Sequence, residues 1–259
     1  MGLPLAGHLL SLDYTVKGSF HAEEKKAELK RWNIKPFPVD FTRPDEIDPA
    51  FFACRTLVIT VPPSKGGKET YVSNLEKILQ RAKDAGCVNV VFTSSTSVYP
   101  AGPETKTEAS EITENTSRGN AMFAAEQAVL QAFPDTSLIV RFGGLIGPAR
   151  KPARFLSGKT DLPGADCPVN FLTLEDAVRI LTELINDQRF DKVYNLVCPW
   201  HPTKEEFYAF ACGLAGIPAP HFDPSKRDEG FKKVSGEKVT AETRIEYLNT
   251  DWKGYLRSL

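Results

Sequence analysis

The chain has 259 residues, 41% of them hydrophobic and 25% charged, a balance that fits one α/β-sized globular domain able to bury a core without disulfide or metal staples. Its 32 basic and 33 acidic side chains leave a formal charge of -1, so no global field draws it to nucleic acid or to an anionic membrane, and any phosphate site must be local. Five scattered cysteines without a C-x-x-C pair, no signal peptide, and no apolar run near the ~18 residues of a membrane span lead us to expect a cytoplasmic protein with reduced thiols.

The chain opens with MGLPLAGHLL, a turn followed at once by an apolar helical run through Leu5, Ala6, Leu9 and Leu10. Residues 14–18 (YTVKG) read as a short strand and 22–32 (AEEKKAELKRW) as a charged surface helix. The stretch 34–39 (IKPFPV) is a peripheral strand, since it tolerates proline. By contrast, 56–61 (TLVITV) is a continuous apolar run of the kind buried on both faces. Tyr71, Val72, Leu75, Ile78, Leu79 and Ala82 recur at helical spacing and predict a helix over 68–84. A strand at 88–93, a helix at 116–132 and a strand at 137–143 complete the βαβ cadence of a doubly wound parallel sheet.

Beyond about residue 150 the rhythm loosens. Thr173 with Asp176, and Thr203 with Glu206, are capping boxes that open two helices around a strand at 192–197, and 218–237 reads as a surface loop. The expected organisation is a Rossmann-like domain over 1–150 and a mixed region over 151–259, which partly returns to the sheet and carries a small C-terminal substrate lobe.

In an open parallel sheet the carboxyl ends of the strands line the ligand crevice. Here those ends run into Val61-Pro62-Pro63-Ser64, into Thr93-Ser94-Ser95-Thr96-Ser97-Val98-Tyr99, and into Gly143-Gly144-Leu145-Ile146-Gly147-Pro148. The hydroxyl cluster can serve a sugar, a carbonyl or a nicotinamide, or can satisfy backbone groups in a turn. Arg150, Lys151 and Arg154 suit an anionic substrate, or are a solvated loop. Ser157-Gly158-Lys159-Thr160 ends like a phosphate-binding loop, but Ala153 stands where that pattern needs glycine. The four histidines lack the spacing of a metal site, and none is expected.

Strand-T-S-S-x-S-V-Y, then a helix containing F-A-A-E-Q, then V-R-F-G-G-L-I-G-P resembles the extended short-chain dehydrogenase/reductase superfamily of nucleotide-sugar epimerases and dehydratases. The likeness covers nearly the whole chain, and its motifs are specific jointly rather than singly. It implies that Gly2 is the last glycine of a Gly-x-Gly-x-x-Gly loop and that the first strand and two leading glycines lie upstream of Met1. The expected fold is thus a Rossmann-like sheet lacking its first strand. The resemblance places cofactor contacts at Gly2, Leu3, Ser19, Phe20, His21, Asp40, Val61, Pro62, Ser94, Gly144 and Leu145. Asp40 reads equally as a turn former. Ser19-Phe20-His21 holds no acid, which mildly favours NADP over NAD. The superfamily's tyrosine and lysine positions fall on Arg118 and Met122, and none of the seven tyrosines precedes a lysine by four residues. Ser95 matches the catalytic serine. Tyr99 and Arg118 are the remaining candidates for acid/base or electrostatic work, and Ser97, Arg150, Arg154 and Asn170 for substrate contact. The implied protein is an NAD(P)-binding oxidoreductase or epimerase acting on a small polar substrate, with a homodimer through helices 68–84 and 116–132. The alternative is a cofactor-binding sensor or scaffold without turnover.

Overall fold

A computed structural model describes residues 1–63, 68–113 and 116–259, and at 68, 69 and 117 the backbone alone; Ser64 lies outside the described residues. In chain order, α1 (Gly2–Leu10) leads to β1 (Lys17–Phe20), α2 (Glu23–Arg31) and β2 (Lys35–Pro38). A 3₁₀ turn (Pro44–Glu46) and the short α3 (Pro49–Phe52) precede β3 (Thr56–Ile59), α4 (Lys68–Asp84) and β4 (Asn89–Ser95). A second 3₁₀ turn (Thr96–Val98) and β5 (Thr105–Lys106) lead to α5 (Ser117–Ala132), β6 (Ser137–Phe142), β7 (Gly144–Ile146) and α6 (Ala153–Leu156). Then come β8 (Phe171–Thr173), α7 (Leu174–Asn186), β9 (Lys192–Leu196), α8 (Lys204–Ala215), β10 (Lys233–Val234), α9 (Glu237–Thr243) and α10 (Trp252–Ser258).

The largest sheet has the order β3-β4-β6-β9, and β1 pairs with β2 separately and in parallel. Among the described residues no ladder joins the β1–β2 pair to the four-stranded sheet. The chain forms two compact units, the first of residues 1–98, 116–140 and 178–193, the second of 99–115, 141–177 and 194–259. No helix among the described residues is long and apolar enough to cross a membrane.

In the first unit, close packing of small residues sets the position of α1. A side chain at Gly7 would collide with the Trp32 ring, and one at Gly18 with Ile34 and Leu29. Phe20, Leu29 and Ile34 form the local core, with Leu3, Ala6, Leu10 and Val16 packed against it. The strand predicted at 14–18 starts only at Lys17, because Asp13 adopts φ 63° and Tyr14 N–H returns to Leu9 O, which closes α1 with a turn. α4 has the predicted bounds and buries Tyr71, Leu75, Ile78, Leu79 and Ala82. It ends at Gly86, whose φ of 80° lets Cys87 N–H reach back to Ala82 O, a left-handed helix stop that glycine adopts without steric cost.

In the second unit, β7 pairs with β8 and β5 with β10, all in parallel. Both pairs are short, and β10 falls inside the segment predicted as a loop. Gly144 faces Phe171 in the β7–β8 register, and the Phe171 ring fills the space where a Cβ would stand. Buried Asp176 accepts from Leu248 N and Asn249 N and from the Thr173 hydroxyl, which ties the segment before α10 to the start of α7. The capping box of Thr203 with Glu206 opens α8 as predicted.

Candidate functional site

The first unit contains the carboxyl ends of β3 and β4. These two strands pair in parallel, with Thr56 opposite Asn89 and Ile59 opposite Phe92, so their following residues emerge side by side. Thr93 Oγ1 donates to Ile59 O at 3.2 Å and Tyr71 Oη donates to Val61 O at 2.6 Å, which fixes the path of the chain leaving β3. Val61 and Pro62 are exposed there. At Gly2, the first residue of α1, an added Cβ would meet nothing nearer than Thr60 Oγ1 at 3.7 Å. A helix N-terminus, with no side chain capping it, therefore opens beside a strand end. The N–H groups of a first helical turn and the helix dipole make such a junction hospitable to an anion.

β4 ends in the serines. Ser94 is buried and donates to Glu126 Oε1 at 2.5 Å, so the hydroxyl is committed to the helix packed behind it. Glu126 has no exposure at all, and its carboxylate needs such donors. Ser95 is partly exposed, and its Oγ accepts from Ser97 N at 3.2 Å, which leaves the hydroxyl proton able to donate elsewhere. Arg118 is exposed on the first turn of α5, after the Thr116 cap, whereas Met122 is 3% exposed, in the core. Met122, expected from the resemblance at the superfamily's lysine position, therefore serves packing here.

The end of β1 leaves Ser19 and His21 exposed and turns Phe20 inward to Leu29 and Ile34. The Leu3 side chain also packs on that core. Asp40, beyond β2, forms a turn: Oδ1 accepts from Thr42 N at 2.9 Å and Thr42 Oγ1 at 2.6 Å, and Oδ2 from Arg43 Nε at 3.1 Å. The Thr42 hydroxyl and N–H, with the Arg43 guanidinium, hold the carboxyl down at a pKa of about 2. Of the two readings of Asp40, the geometry supplies the turn former.

In the second unit, Tyr99 is completely buried. Its hydroxyl donates to Asn195 Oδ1 at 2.8 Å and accepts from Arg141 Nη1 at 2.8 Å, and the guanidinium also lies 5.1 Å from the ring centroid. Asn195 N donates in turn to Glu108 at 2.6 Å. Burial pushes the Tyr99 phenol up, against the pull of Arg141, and burial likewise pushes the Glu108 carboxyl up. This phenol sits inside a satisfied network. Asn170 is similarly occupied: its Nδ2 donates to Lys232 O at 2.7 Å and its Oδ1 accepts from Val234 N at 2.8 Å, clasping β10. Arg150 and Arg154 are exposed, the former over the Phe155 ring, and Lys151 donates to Leu259 O. Leu145 is partly exposed in β7 beside the exposed Gly144.

Glu126, Arg141, Glu108 and Asn195 were missed in the sequence. Arg141 alone carried a clear signal, a cation in the middle of the apolar run SLIVRFG. Among the described residues no group of three or more histidine, cysteine, aspartate or glutamate side chains could hold a metal ion.

The chain is 30% identical over 259 residues to Protein YeeZ of Escherichia coli (strain K12), covering 97% of this chain and 93% of that protein. No family model matches. A functionally unknown conserved protein from Silicibacter pomeroyi DSS superposes with a TM-score of 0.80 at 20% identity, covering 98% of this chain and 93% of the other. UDP-glucuronic acid 4-epimerase from Bacillus cereus, in complex with NAD, superposes with a TM-score of 0.78 at 14% identity, covering 98% and 92%. At these identities the two structures speak for the fold.

The Asp40 turn has a pH signature. Because its folded pKa lies below the unfolded value, its stabilisation is present above about pH 4 and is lost as pH falls through about 2. Asp40→Asn is expected to lower the urea midpoint slightly at pH 7, with the difference closing between pH 4 and pH 2; an unchanged gap across that window would contradict the assignment.

Proposed function

Because this chain belongs to the YeeZ family within the extended short-chain dehydrogenase/reductase superfamily, we propose that it is an NAD(P)-binding, epimerase- or dehydratase-like oxidoreductase acting on a small polar substrate of the sugar-nucleotide or phosphorylated class. The observation that carries the reading is Gly2 at the open start of α1, beside Thr60 at the end of β3. That junction suits a pyrophosphate, and the missing Cβ leaves room for it. The Bacillus cereus epimerase, which shares the fold, is in complex with NAD.

In this reading Gly2, with the backbone of Leu3, faces the pyrophosphate, Val61 and Pro62 flank the dinucleotide, and Ser19 and His21 meet the ribose next to adenine. Neither of those two is an acid, so nothing repels a 2'-phosphate, and NADP is slightly preferred over NAD. When bound, the nicotinamide supplies or takes a hydride. The chain's own contribution is polar: the Ser95 hydroxyl donates to a substrate carbonyl, held in place by the Ser97 N–H, while Ser94 anchors the strand end to Glu126. Arg118, on the exposed first turn of α5, stabilises negative charge on an oxyanion or phosphate. In the second unit, Arg150 and Arg154 offer exposed cations to an anionic substrate group. A homodimer through α4 and α5, which pack on one another, belongs to the same proposal.

A second reading, a dinucleotide-binding sensor or scaffold without turnover, is favoured by one observation. Met122 is buried where the resemblance puts the ammonium that holds the ribose and lowers the acid's pKa, and the phenol of Tyr99, four residues after Ser95, is locked in its own network.

Two substitutions test the proposal. His21→Asp places a carboxylate at the end of β1 and is expected to weaken NADPH binding at least ~10-fold while sparing NADH, measured by nicotinamide fluorescence titration; unchanged selectivity would overturn the ribose assignment. With a sugar nucleotide that the wild type turns over, Ser95→Ala is expected to lower kcat ~100-fold or more with the dinucleotide affinity retained. Tight dinucleotide binding with no turnover across a panel of UDP- and dTDP-sugars would decide for the second reading.

A further inference from the structure

The opposite end of the same strand pair carries chemistry that the proposed function does not use. The β3–β4 register places Thr56 opposite Asn89, and carried two residues back it places Cys54 opposite Cys87. The pairing continues past the strand ends, since Arg55 O accepts from both Val88 N at 3.0 Å and Asn89 N at 2.9 Å. Thr56 and Asn89 point to one side, where Asn89 Nδ2 reaches Thr56 Oγ1 at 3.5 Å, and Cys54 and Cys87 lead into the two strands immediately before this pair. The Cys87 thiol donates to Asn89 O at 3.3 Å and reaches Arg55 O, next in the chain to Cys54, at 3.6 Å, and the two thiols are close enough to shift each other's ionisation. Directly opposed residues of paired strands meet the Cα separation that a disulfide needs, roughly 4.4–6.8 Å.

The surroundings favour thiolate chemistry over a purely structural pair. Lys17 Nζ donates to Ala50 O at 2.7 Å and to Ala53 O at 2.5 Å, which sets an ammonium next to Cys54. The adjoining Cys54 thiol draws the Cys87 thiol down to about 7, and Cys87 in turn holds Cys54 up. Cys54 is partly exposed and Cys87 is 7% exposed, within reach of a small oxidant rather than a bulky one. Cys167, Cys198 and Cys212 lack such a partner thiol, and burial pushes each of them up.

We propose that Cys54 and Cys87 form a reversible dithiol–disulfide site whose oxidant is a small hydroperoxide. The Cys87 thiolate attacks one peroxide oxygen, the O–O bond breaks, and the departing hydroxide takes the Cys54 proton as water, leaving a sulfenic acid on Cys87. The Cys54 thiolate then attacks that sulfur, the S–O bond breaks, and hydroxide leaves to be protonated by solvent. Both thiols are oxidised to one disulfide while hydrogen peroxide is reduced to two waters. The bond cross-links the amino ends of β3 and β4.

The test treats the reduced, folded full-length chain with hydrogen peroxide at neutral pH and follows free thiols, intact mass and linked peptides. The expected result is loss of two of the five thiols, a mass lower by two hydrogens, a Cys54–Cys87 peptide and full recovery with dithiothreitol. In Cys54→Ser the oxidation should stop at a Cys87 sulfenic acid trapped by dimedone, and in Cys87→Ser thiol loss at Cys54 should slow ~10-fold or more. Five persistent thiols, or a linkage through any other cysteine, would overturn the proposal. The wild-type measurement stands alone if a variant fails to fold, and none of it depends on dinucleotide binding.

Discussion

Parallel pairing of β3 with β4 in a single register, Thr56 to Asn89 through Ile59 to Phe92, is the constraint from which the chemistry of the first unit follows. Parallel strands share a direction, so their carboxyl ends must emerge together and their amino ends must begin together. At one end this gathers Thr60, Val61, Pro62 and the serines of β4, with α1 opening beside Thr60. At the other end it sets two cysteines from distant parts of the chain opposite one another. A slip of one residue in β3 would turn Leu57 and Ile59, both buried, to the side of half-buried Thr56 and Val58, so burial on one face of β3 favours the register that both sites require.

Buried polar groups then decide which side chains remain available. A buried carboxylate or guanidinium must be fully partnered, and satisfying it consumes its neighbours. Glu126 takes the Ser94 hydroxyl, Arg141 and Asn195 take the Tyr99 phenol, and the clasp on β10 takes the Asn170 amide. What stays accessible among the polar candidates is Ser19, His21, Arg118, Arg150 and Arg154, with Ser95 partly exposed. Met122, to which the superfamily resemblance assigns the lysine position, is part of the core.

Much of this architecture was legible in the sequence because the signals were local. The helix over 68–84 follows from apolar spacing, the start of α8 from a four-residue capping box, and β3 from the continuous apolar run at 56–61. The β5–β10 and β7–β8 pairs were not legible. They are two or three residues long and are held by partners far away in the chain, so no periodicity can build up. The candidate site was legible as a set of strand ends but not as a set of roles. Tyr99 and Asn170 looked available because their partners, Arg141 and β10, lie 42 and about 64 residues away and leave no trace nearby. The Asp40 turn, by contrast, is made with Thr42 and Arg43 and was one of the two readings that its neighbours allowed.

The central claim is that a dinucleotide binds where α1 opens beside the carboxyl ends of β3 and β4. Hydrogen–deuterium exchange of the full chain with and without saturating NADPH tests it most directly. The account predicts added protection in the peptides spanning residues 2–6, 18–21, 59–62 and 94–97, with the segment around Cys54 and Cys87 unchanged. Binding that leaves those four peptides unprotected, or no binding at all, would contradict it.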